Sequence, residues 1–352
     1  MQTTTTQPVS VEIELSEEDS LIQSTVRDVL TREGAQERAR QWWANDVDFD
    51  RALWSTLTNL GLTNMVASST HGGIEAGALT ASVVSAEIGR FAAALPFEMH
   101  STALRLLAHT GASEAPRVSD GVLTVVLAPT DGASAQMVPE GAVADLILLP
   151  AAGELLYLAE FDREHVATMG MNRFANVTPR ANGAGARCEV QASAVENART
   201  FATTMFASKM VGLGDWMLSQ CAGYAGSRVQ FGRPIGSFQA IQHKLAEMHI
   251  AMAASRFLTH HAAMALDEGA DGQLEASRAK AFTGATLWRV ATEAHQIHGG
   301  VGFVLDHPLH LYFAQARGAD SLFGSTREHH QRVGQAILGG IGHRPNLMLG
   351  VA

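Results

Sequence analysis

The spacing of apolar residues predicts a chain that is helical at both ends. Leu21, Ile22, Val26, Val29 and Leu30 recur at intervals of three and four residues, which places them on one face of a helix. Similar spacing predicts three further helices in the first third of the chain, at about 49–60, 79–91 and, after Pro96, up to about 110. The N-terminal part is therefore expected to be a helical domain.

The middle of the chain has the pattern of short strands. Its apolar runs are only three to six residues long, and they are separated by stretches rich in Gly and Asn. The runs lie at 122–127, 146–149, 155–158 and 188–190. They predict a small β region at about 121–196, too short for a large sheet.

Helical spacing then returns and continues almost to the end of the chain. It predicts five helices, at about 200–226, 239–269, 272–298, 308–321 and 326–338. The predicted fold class is therefore α+β and mostly α. The predicted domains are an N-terminal helical domain over 1–120, a reduced β domain over 121–197 and a C-terminal helical bundle over 198–352.

A charged break separates the first two C-terminal helices. Three residues that disfavour helix lie within five positions there, namely Gly232, Pro234 and Gly236. Positive charge surrounds the break on Arg228, Arg233 and Lys244. A helix start beside clustered cations favours an anion such as a pyrophosphate. The alternative is a helical hairpin whose charges are only solvated.

Composition limits the classes of partner. The chain has 352 residues, 46% of them apolar, with 25 basic and 35 acidic residues and a net charge of −10. This acidic balance argues against nucleic acid as the main partner, because phosphate backbones need a basic face. No apolar run is long enough to span a membrane and no secretory signal is visible. Two cysteines fit a reducing cytoplasm, where we expect the protein to act.

Two C-terminal motifs carry a resemblance to a known family. The first is Arg228-Val229-Gln230-Phe231-Gly232 with Phe238-Gln239, and the second is the stretch Gln296-Ile297-His298-Gly299-Gly300-Val301-Gly302-Phe303, followed by Pro308 and Arg317. In this order on a helical C-terminal half, they resemble the acyl-CoA dehydrogenases. The resemblance implies an N-terminal helical domain, a middle β-barrel and a C-terminal four-helix bundle. It also implies FAD as cofactor, an acyl-CoA thioester as substrate and α,β-dehydrogenation as the reaction.

The resemblance also implies roles for individual residues. In the family, FAD lies across a subunit interface, and a neighbouring subunit reaches its pyrophosphate and adenosine with these two motifs. Arg228 would pair with the pyrophosphate, where a guanidinium suits two oxygens. The other residues implied at the dinucleotide are Phe231, Gln239, Gln296, Gly299 and Gly300.

The chain departs from the family at the catalytic base. Counting without gaps from Gln296 puts Phe323 at the position of the usual glutamate, and a phenyl ring cannot accept a proton. Some members carry the base on the helix before the first motif, and that position is Thr203. Asp320 and Glu328 are nearby acids, each placed at an unsuitable part of the helix turn for a base. We therefore expect no catalytic residue in this chain.

A second departure lies in the middle region. The turn that holds the flavin ring in the family is reduced here to the stretch 128–134, and a second flavin-contacting strand has no recognisable counterpart. Similar short chains without the base occur in actinobacterial steroid side-chain degradation, within α2β2 heterotetramers. The hypothesis is a non-catalytic subunit that completes the FAD site of a full-length catalytic partner, with electron-transfer flavoprotein as electron acceptor by family analogy.

Two alternatives remain open at this point. One is an active homo-oligomeric dehydrogenase with a displaced base, and the other is a flavin-free scaffold or acyl-CoA-binding protein. A metal site is not expected, since His307 and His310 lack a third ligand. His298 is either a dinucleotide contact or a partly buried histidine at a helix end. Lys209, in an apolar helix, has no explanation from the sequence.

Overall fold

The computed structural model describes residues 13–43, 48–69, 72–110, 125–128, 135–151, 153–170, 173–180 and 187–339. Its N-terminal part contains five helices: α1 (Glu17–Arg32), α2 (Ala35–Trp43), α3 (Arg51–Asn59), α4 (Ala78–Arg90) and α5 (Phe97–Thr110). Helix α1 begins where the Ser16 hydroxyl accepts the backbone N–H of Asp19 at 3.0 Å, and acidic residues fill its first turn. Both features stabilise a helix start, because they satisfy free N–H groups and match the helix dipole.

The middle region forms two small sheets. Their strands are β1 (Val125–Leu127), β2 (Ala135–Val138), β3 (Leu146–Ala151), β4 (Glu154–Leu158), β5 (Phe161–Val166), β6 (Phe174–Pro179) and β7 (Arg187–Glu189). One sheet has the order β1-β3-β4-β7, with β1 parallel to β3 and the other pairs antiparallel. The other has the order β2-β6-β5 and is antiparallel throughout. Strand β3 is buried along almost its whole length, which places this sheet in the core.

The C-terminal part is a bundle of long helices. It contains α6 (Ala192–Ser227), the short hairpin β8 (Val229–Gln230) and β9 (Arg233–Pro234), α7 (Gln239–Asp267), α8 (Gln273–His298), α9 (Leu309–Ser321) and α10 (Thr326–Gly339). Helix α6 is 36 residues long and lies at the centre, where it packs against α4, α7, α8 and α9.

Two glycines allow α4 and α6 to cross closely. A Cβ on Gly212 of α6 would lie 1.8 Å from the Ala86 carbonyl oxygen, and a Cβ on Gly89 of α4 would lie 2.2 Å from the Lys209 carbonyl oxygen. Any larger side chain would force the helices apart, since no side chain yields at these points. The crossing joins the N-terminal helices to the C-terminal bundle.

The predicted fold class is confirmed, with corrections in detail. All five predicted C-terminal helices are present, and α6 begins at Ala192 rather than near 200. The interpretation missed helix α2 and the strands β2, β5 and β6. Where the resemblance implied one β-barrel, the described strands form two separate sheets that do not close. The predicted boundary at 197/198 falls inside α6, and the proposed domain limits stay predictions.

Candidate functional site

The first motif forms an exposed hairpin between α6 and α7. The Arg228 backbone ends α6, where its N–H donates to the Tyr224 carbonyl at 2.8 Å and its carbonyl accepts from Ile235 N–H at 2.8 Å. The Arg228 side chain is exposed, whereas the Arg233 guanidinium lies over the Phe238 ring at 4.1 Å. Arg228 is thus fixed at its backbone and free at its charged end, which suits a residue that binds an external anion.

Phe231 occupies the tip of this hairpin in a strained conformation. Its φ is 53° and that of Gly232 is 81°, so two successive residues lie in the left-handed region. A bulky residue there is an outlier that costs about 1–2 kcal/mol. The side chain is 92% exposed, and its ring contact in the chain is an edge contact with Phe238 at 6.1 Å. An exposed aromatic held in strain is typical of a residue kept for an external contact.

The second motif forms a turn at the end of α8. Gly299 has φ 58° and ψ −140°, a conformation that residues with a Cβ rarely adopt. Gly299, Gly300 and Gln296 are all exposed, and a Cβ on either glycine would meet no atom within 4 Å. The exposed backbone of this turn can therefore approach a ligand from outside the chain.

Side-chain contacts make the two motifs neighbours on one surface. The rings of Tyr224, near the end of α6, and His298, at the end of α8, are stacked with centroids 4.6 Å apart. Lys244 of α7 forms an ion pair with Glu293 of α8. Gln239 begins α7 and is exposed beside this surface. We call this surface the dinucleotide face; it comprises Arg228, Phe231, Gln239, Gln296, Gly299 and Gly300.

The two positions that could hold a base line one cavity that opens to solvent. This cavity has a volume of about 720 Å³ and lies between α6, α8 and the α9–α10 turn. Phe323 lines it with φ 54° and stacks on Phe206 at 5.8 Å. Thr203 lines it as well, and its hydroxyl donates to the Arg199 carbonyl at 2.9 Å. Neither side chain can remove a proton from carbon at neutral pH.

The acids near this cavity have local hydrogen bonds. The Glu328 carboxylate accepts from the backbone N–H of Ser325 at 2.7 Å, and these bonds lower its pKa. Asp320 accepts from the backbone N–H of Thr326 at 3.2 Å. Both carboxylates stabilise the start of α10 by satisfying its N–H groups. This use agrees with the sequence interpretation that neither acid is the base.

Two buried side chains fix the turn that carries Phe323. The Lys280 ammonium donates to the carbonyls of Asp320, Leu322 and Gly324 at 2.9, 2.8 and 2.9 Å. Burial lowers the Lys280 pKa to about 8, which still leaves it protonated at neutral pH. His329 lies within 3.0 Å of the Phe323 carbonyl, and burial lowers its pKa to about 4.

Lys209, unexplained by the sequence, has a buried partner. Its ammonium donates to Glu98 at the start of α5 at 3.0 Å, and both side chains are at most 6% exposed. A second buried pair lies nearby in the β region, where Arg173 donates twice to Glu140 at 2.6 and 2.9 Å. Burial raises the Glu140 pKa and Arg173 opposes this change. These four charges join the N-terminal helices, α6 and the β region.

Other candidate sites have an internal explanation. In the described ranges, no group of three or more acidic, histidine or cysteine side chains could hold a metal ion. A second cavity, of about 490 Å³ between α1, α4, α6 and α7, contains two bidentate ion pairs, Arg27–Glu87 and Arg256–Asp215. No helix in the part of the chain that the structure covers is long and apolar enough to cross a membrane.

Comparison with known proteins identifies the family. The family model "Acyl-CoA dehydrogenase, N-terminal domain" matches residues 16–117, and "Acyl-CoA dehydrogenase, C-terminal domain" matches residues 192–338. The acyl-CoA dehydrogenase IpdE2 of Mycobacterium tuberculosis is 30% identical over 326 residues, which cover 90% of this chain and 96% of that protein. This chain belongs to the acyl-CoA dehydrogenase family, whose members are FAD-dependent oxidoreductases.

Further relatives include a steroid acyl-CoA dehydrogenase (ACAD) of known structure. IpdE2 of Mycolicibacterium smegmatis is 28% identical over 324 residues, covering 91% of this chain and 98% of that protein. The Tcur3481–Tcur3483 steroid ACAD superposes with a TM-score of 0.83 at 25% identity, covering 93% of this chain and 99% of the compared chain. The ChsE4–ChsE5 complex from Mycobacterium tuberculosis shares the fold, with a TM-score of 0.84 at 24% identity and coverage of 92% and 98%.

The structure brings together some of the predicted site residues and not others. The six residues of the dinucleotide face lie on an exposed surface, while Phe323 and Thr203 line a separate cavity between α6, α8 and the α9–α10 turn. His298 is 3% exposed and stacks on Tyr224, so it is placed under the dinucleotide face and not on it. The stretch 129–134, the reduced turn, lies outside the described residues. The FAD-binding roles of the six residues stay predictions.

Proposed function

We propose that this chain is a non-catalytic subunit of a heteromeric acyl-CoA dehydrogenase. It completes the FAD site of a full-length catalytic partner by presenting its dinucleotide face. One observation carries the proposal: the six residues implied at the dinucleotide are all exposed, whereas both base positions hold residues that cannot take a proton. A complete outward-facing half-site with no base behind it is of use only to another subunit.

The residues of the dinucleotide face fit a flavin dinucleotide. Arg228 offers an exposed guanidinium fork to a pyrophosphate, and Phe231 offers an aromatic face. The open Gly299–Gly300 backbone has room for a ribose or phosphate at close range. When bound, FAD supplies the hydride acceptor. The chain's own residues would hold and orient its dinucleotide end.

The relatives support the choice of partner and substrate. The Tcur3481–Tcur3483 protein is a steroid ACAD with two named components, and ChsE4–ChsE5 is a complex. By analogy, we propose a full-length acyl-CoA dehydrogenase as partner and a steroid side-chain acyl-CoA as substrate. This assignment rests on analogy, because the substrate pocket belongs to the partner. Electron-transfer flavoprotein is the proposed electron acceptor on the same ground.

Co-expression with full-length acyl-CoA dehydrogenases of the same organism, one at a time, tests the proposal. We expect a yellow complex, and a colourless protein when this chain is purified alone. Arg228→Met in this chain should weaken FAD retention about ten- to hundredfold, since a charge-assisted hydrogen bond contributes about 1.5–3 kcal/mol. Arg327→Met, which removes an exposed arginine on α10, is the matched control and should change nothing.

Two outcomes would replace the proposal. If the chain alone bound one flavin per subunit and oxidised an acyl-CoA, it would be an active homo-oligomer with a displaced base. If it stayed colourless in every pairing, it would be a flavin-free scaffold or an acyl-CoA-binding protein. A panel of steroid and straight-chain acyl-CoA thioesters, assayed on the complex, separates the substrate classes.

A further inference from the structure

The stacked rings of Tyr224 and His298 connect the two motifs of the dinucleotide face beneath its surface. Tyr224 lies one turn before Arg228, and its carbonyl accepts the Arg228 N–H at 2.8 Å. His298 directly precedes Gly299 in the chain and is 3% exposed. The two rings lie 4.6 Å apart at an angle of 24°. This stack therefore links the glycine turn directly to the end of α6 that carries Arg228.

Hydrogen bonds set the protonation pattern around the stack. His298 Nδ1 lies 2.8 Å from the Ala294 carbonyl oxygen, so this nitrogen carries a proton and donates it. The His307 ring lies 4.9 Å from the His298 ring. His307 Nδ1 accepts the Leu309 N–H at 3.2 Å, so its proton is on Nε2. One proton on each ring is enough for both hydrogen bonds and leaves the His298 and His307 imidazoles neutral.

The surroundings oppose a positive charge on either ring. Burial lowers the pKa of His298, and the charge of His295 lowers it further, while the bond to Ala294 raises it. Burial also lowers the pKa of His307. The charged groups that act on His307, within the described part of the chain, are all basic: His295 and His298 on α8, His310 on α9 and Arg40 on α2. A proton taken up by His307 is repelled by each of these four groups.

We propose that Tyr224 and His298 are positioning residues, which hold the Gly299–Gly300 turn in register with Arg228 while the His298–His307 pair is neutral. Proton uptake by this pair creates repulsion between the His298 and His307 rings, whose centroids lie 4.9 Å apart, and so releases the turn. The inference rests on the proposed function of the dinucleotide face. It adds that FAD retention by the complex depends on two residues that do not touch the dinucleotide, and that retention falls in acid.

The first experiment uses this chain alone. The ring carbons of ¹³C-labelled histidine are followed by NMR as pH is lowered, and the resonance lost in His298→Phe identifies His298. We expect His298 to titrate at a lower pH than free histidine, whose pKa is about 6.5. Tyr224→Ala should change both the titration and the chemical shift of His298. If His298 titrated like free histidine and ignored Tyr224→Ala, the inference would be wrong.

The second experiment uses the complex and measures FAD retention by dialysis. Tyr224→Ala should weaken retention about two- to tenfold at neutral pH, as expected for a lost ring stack, and Tyr224→Phe should restore it. Native complex should lose FAD as the pH falls below about 6.5, the ordinary pKa of histidine, because the pKa values of both rings are lowered. His298→Phe keeps a ring without a titrating group, so its retention should be much less sensitive to acid.

The control is His330→Phe on α10. His330 is exposed, and its Nδ1 makes the same kind of bond to a backbone carbonyl, that of Thr326 at 2.9 Å. Equal acid sensitivity of the native, His298→Phe and His330→Phe complexes would overturn the inference and leave the proposed function intact. A native complex without FAD at neutral pH would overturn both, and this result is read before any variant is compared.

Discussion

At the residue scale, the proposed lack of a catalytic base can be tested at Phe323. It occupies the position of the family's base, packs on Phe206 and lines a cavity that still exists. Phe323→Glu would return a carboxylate to the cavity. On the proposed function, the variant should stay inactive when purified alone, because its flavin site needs the partner subunit.

The same substitution should lower stability. A carboxylate in place of the half-buried ring loses the stack and is partly desolvated, which costs about 1–3 kcal/mol. An acyl-CoA-dependent dye-reduction assay and urea unfolding measure the two effects. Dehydrogenase activity of Phe323→Glu alone would mean that only the base is missing.

Lys209 leads to a second prediction at this scale. Its partner Glu98 is buried and also lies 2.9 Å from the Ser85 hydroxyl. Lys209→Met would leave a buried carboxylate without a countercharge, and we expect a loss of about 3–5 kcal/mol in unfolding free energy. The double variant Lys209→Met/Glu98→Gln should recover much of this loss, because it leaves no unpaired charge at this position. Urea unfolding of the single and double variants measures the coupling.

The burial of two histidines predicts that the folded state loses stability in acid. Burial lowers the pKa of His260 and of His329 to about 4, below the ordinary value of 6.5. As pH falls below about 6.5, the unfolded chain takes up these protons first, so the folded state loses stability progressively down to about pH 4. Each histidine should contribute on the order of 2–3 kcal/mol. Replacing both histidines with Asn should make the melting temperature depend less on pH between about 6.5 and about 4. If the dependence on pH stayed the same, the loss of stability in acid would come from carboxylates instead.

At the element scale, the β8–β9 hairpin carries at its turn a residue, Phe231, that suits FAD binding but lowers the stability of the free chain. Its two-residue turn places Phe231 and Gly232 at positive φ, where Asn-Gly is the favoured pair. Phe231→Asn should therefore stabilise the free chain by a few tenths to about 1 kcal/mol, after allowing for the lost contact with Phe238. The same change should weaken FAD retention in the complex. A variant that lost stability would show that Phe231 is kept for the hairpin itself.

The elements also show what the sequence could predict. Long helices with apolar faces, such as α7 and α8, were predicted within two residues of their ends, because their periodicity extends over many turns. Helix α2 was missed because it is short and strongly polar. Strand β5 was missed because four successive residues within it are exposed, which removes the apolar alternation.

Site residues divide in the same way. The role predicted for exposed motif residues such as Arg228 came from the resemblance of two sequence motifs to the family. The Lys209–Glu98 pair spans 111 residues, and the Tyr224–His298 stack joins two helices that are separated in sequence by α7. Contacts of this kind depend on how helices cross, and local patterns do not contain that information.

At the scale of the whole molecule, the central prediction concerns stoichiometry. A chain that supplies only the outward half of a flavin site cannot complete a site with a copy of itself. The heteromer should therefore bind one flavin for each pair of unlike chains, whereas a homo-oligomer of ordinary family members binds one for each chain. Flavin absorbance divided by protein concentration from amino-acid analysis measures the ratio.

A pair of matched variants tests which subunit holds the dinucleotide. Arg228→Met in this chain should lower the ratio of flavin to protein without changing the mass of the complex. The equivalent change in the partner should leave the ratio unaltered, because the partner's own dinucleotide face would meet no flavin. One flavin per chain in the native complex would mean that both subunits hold the cofactor.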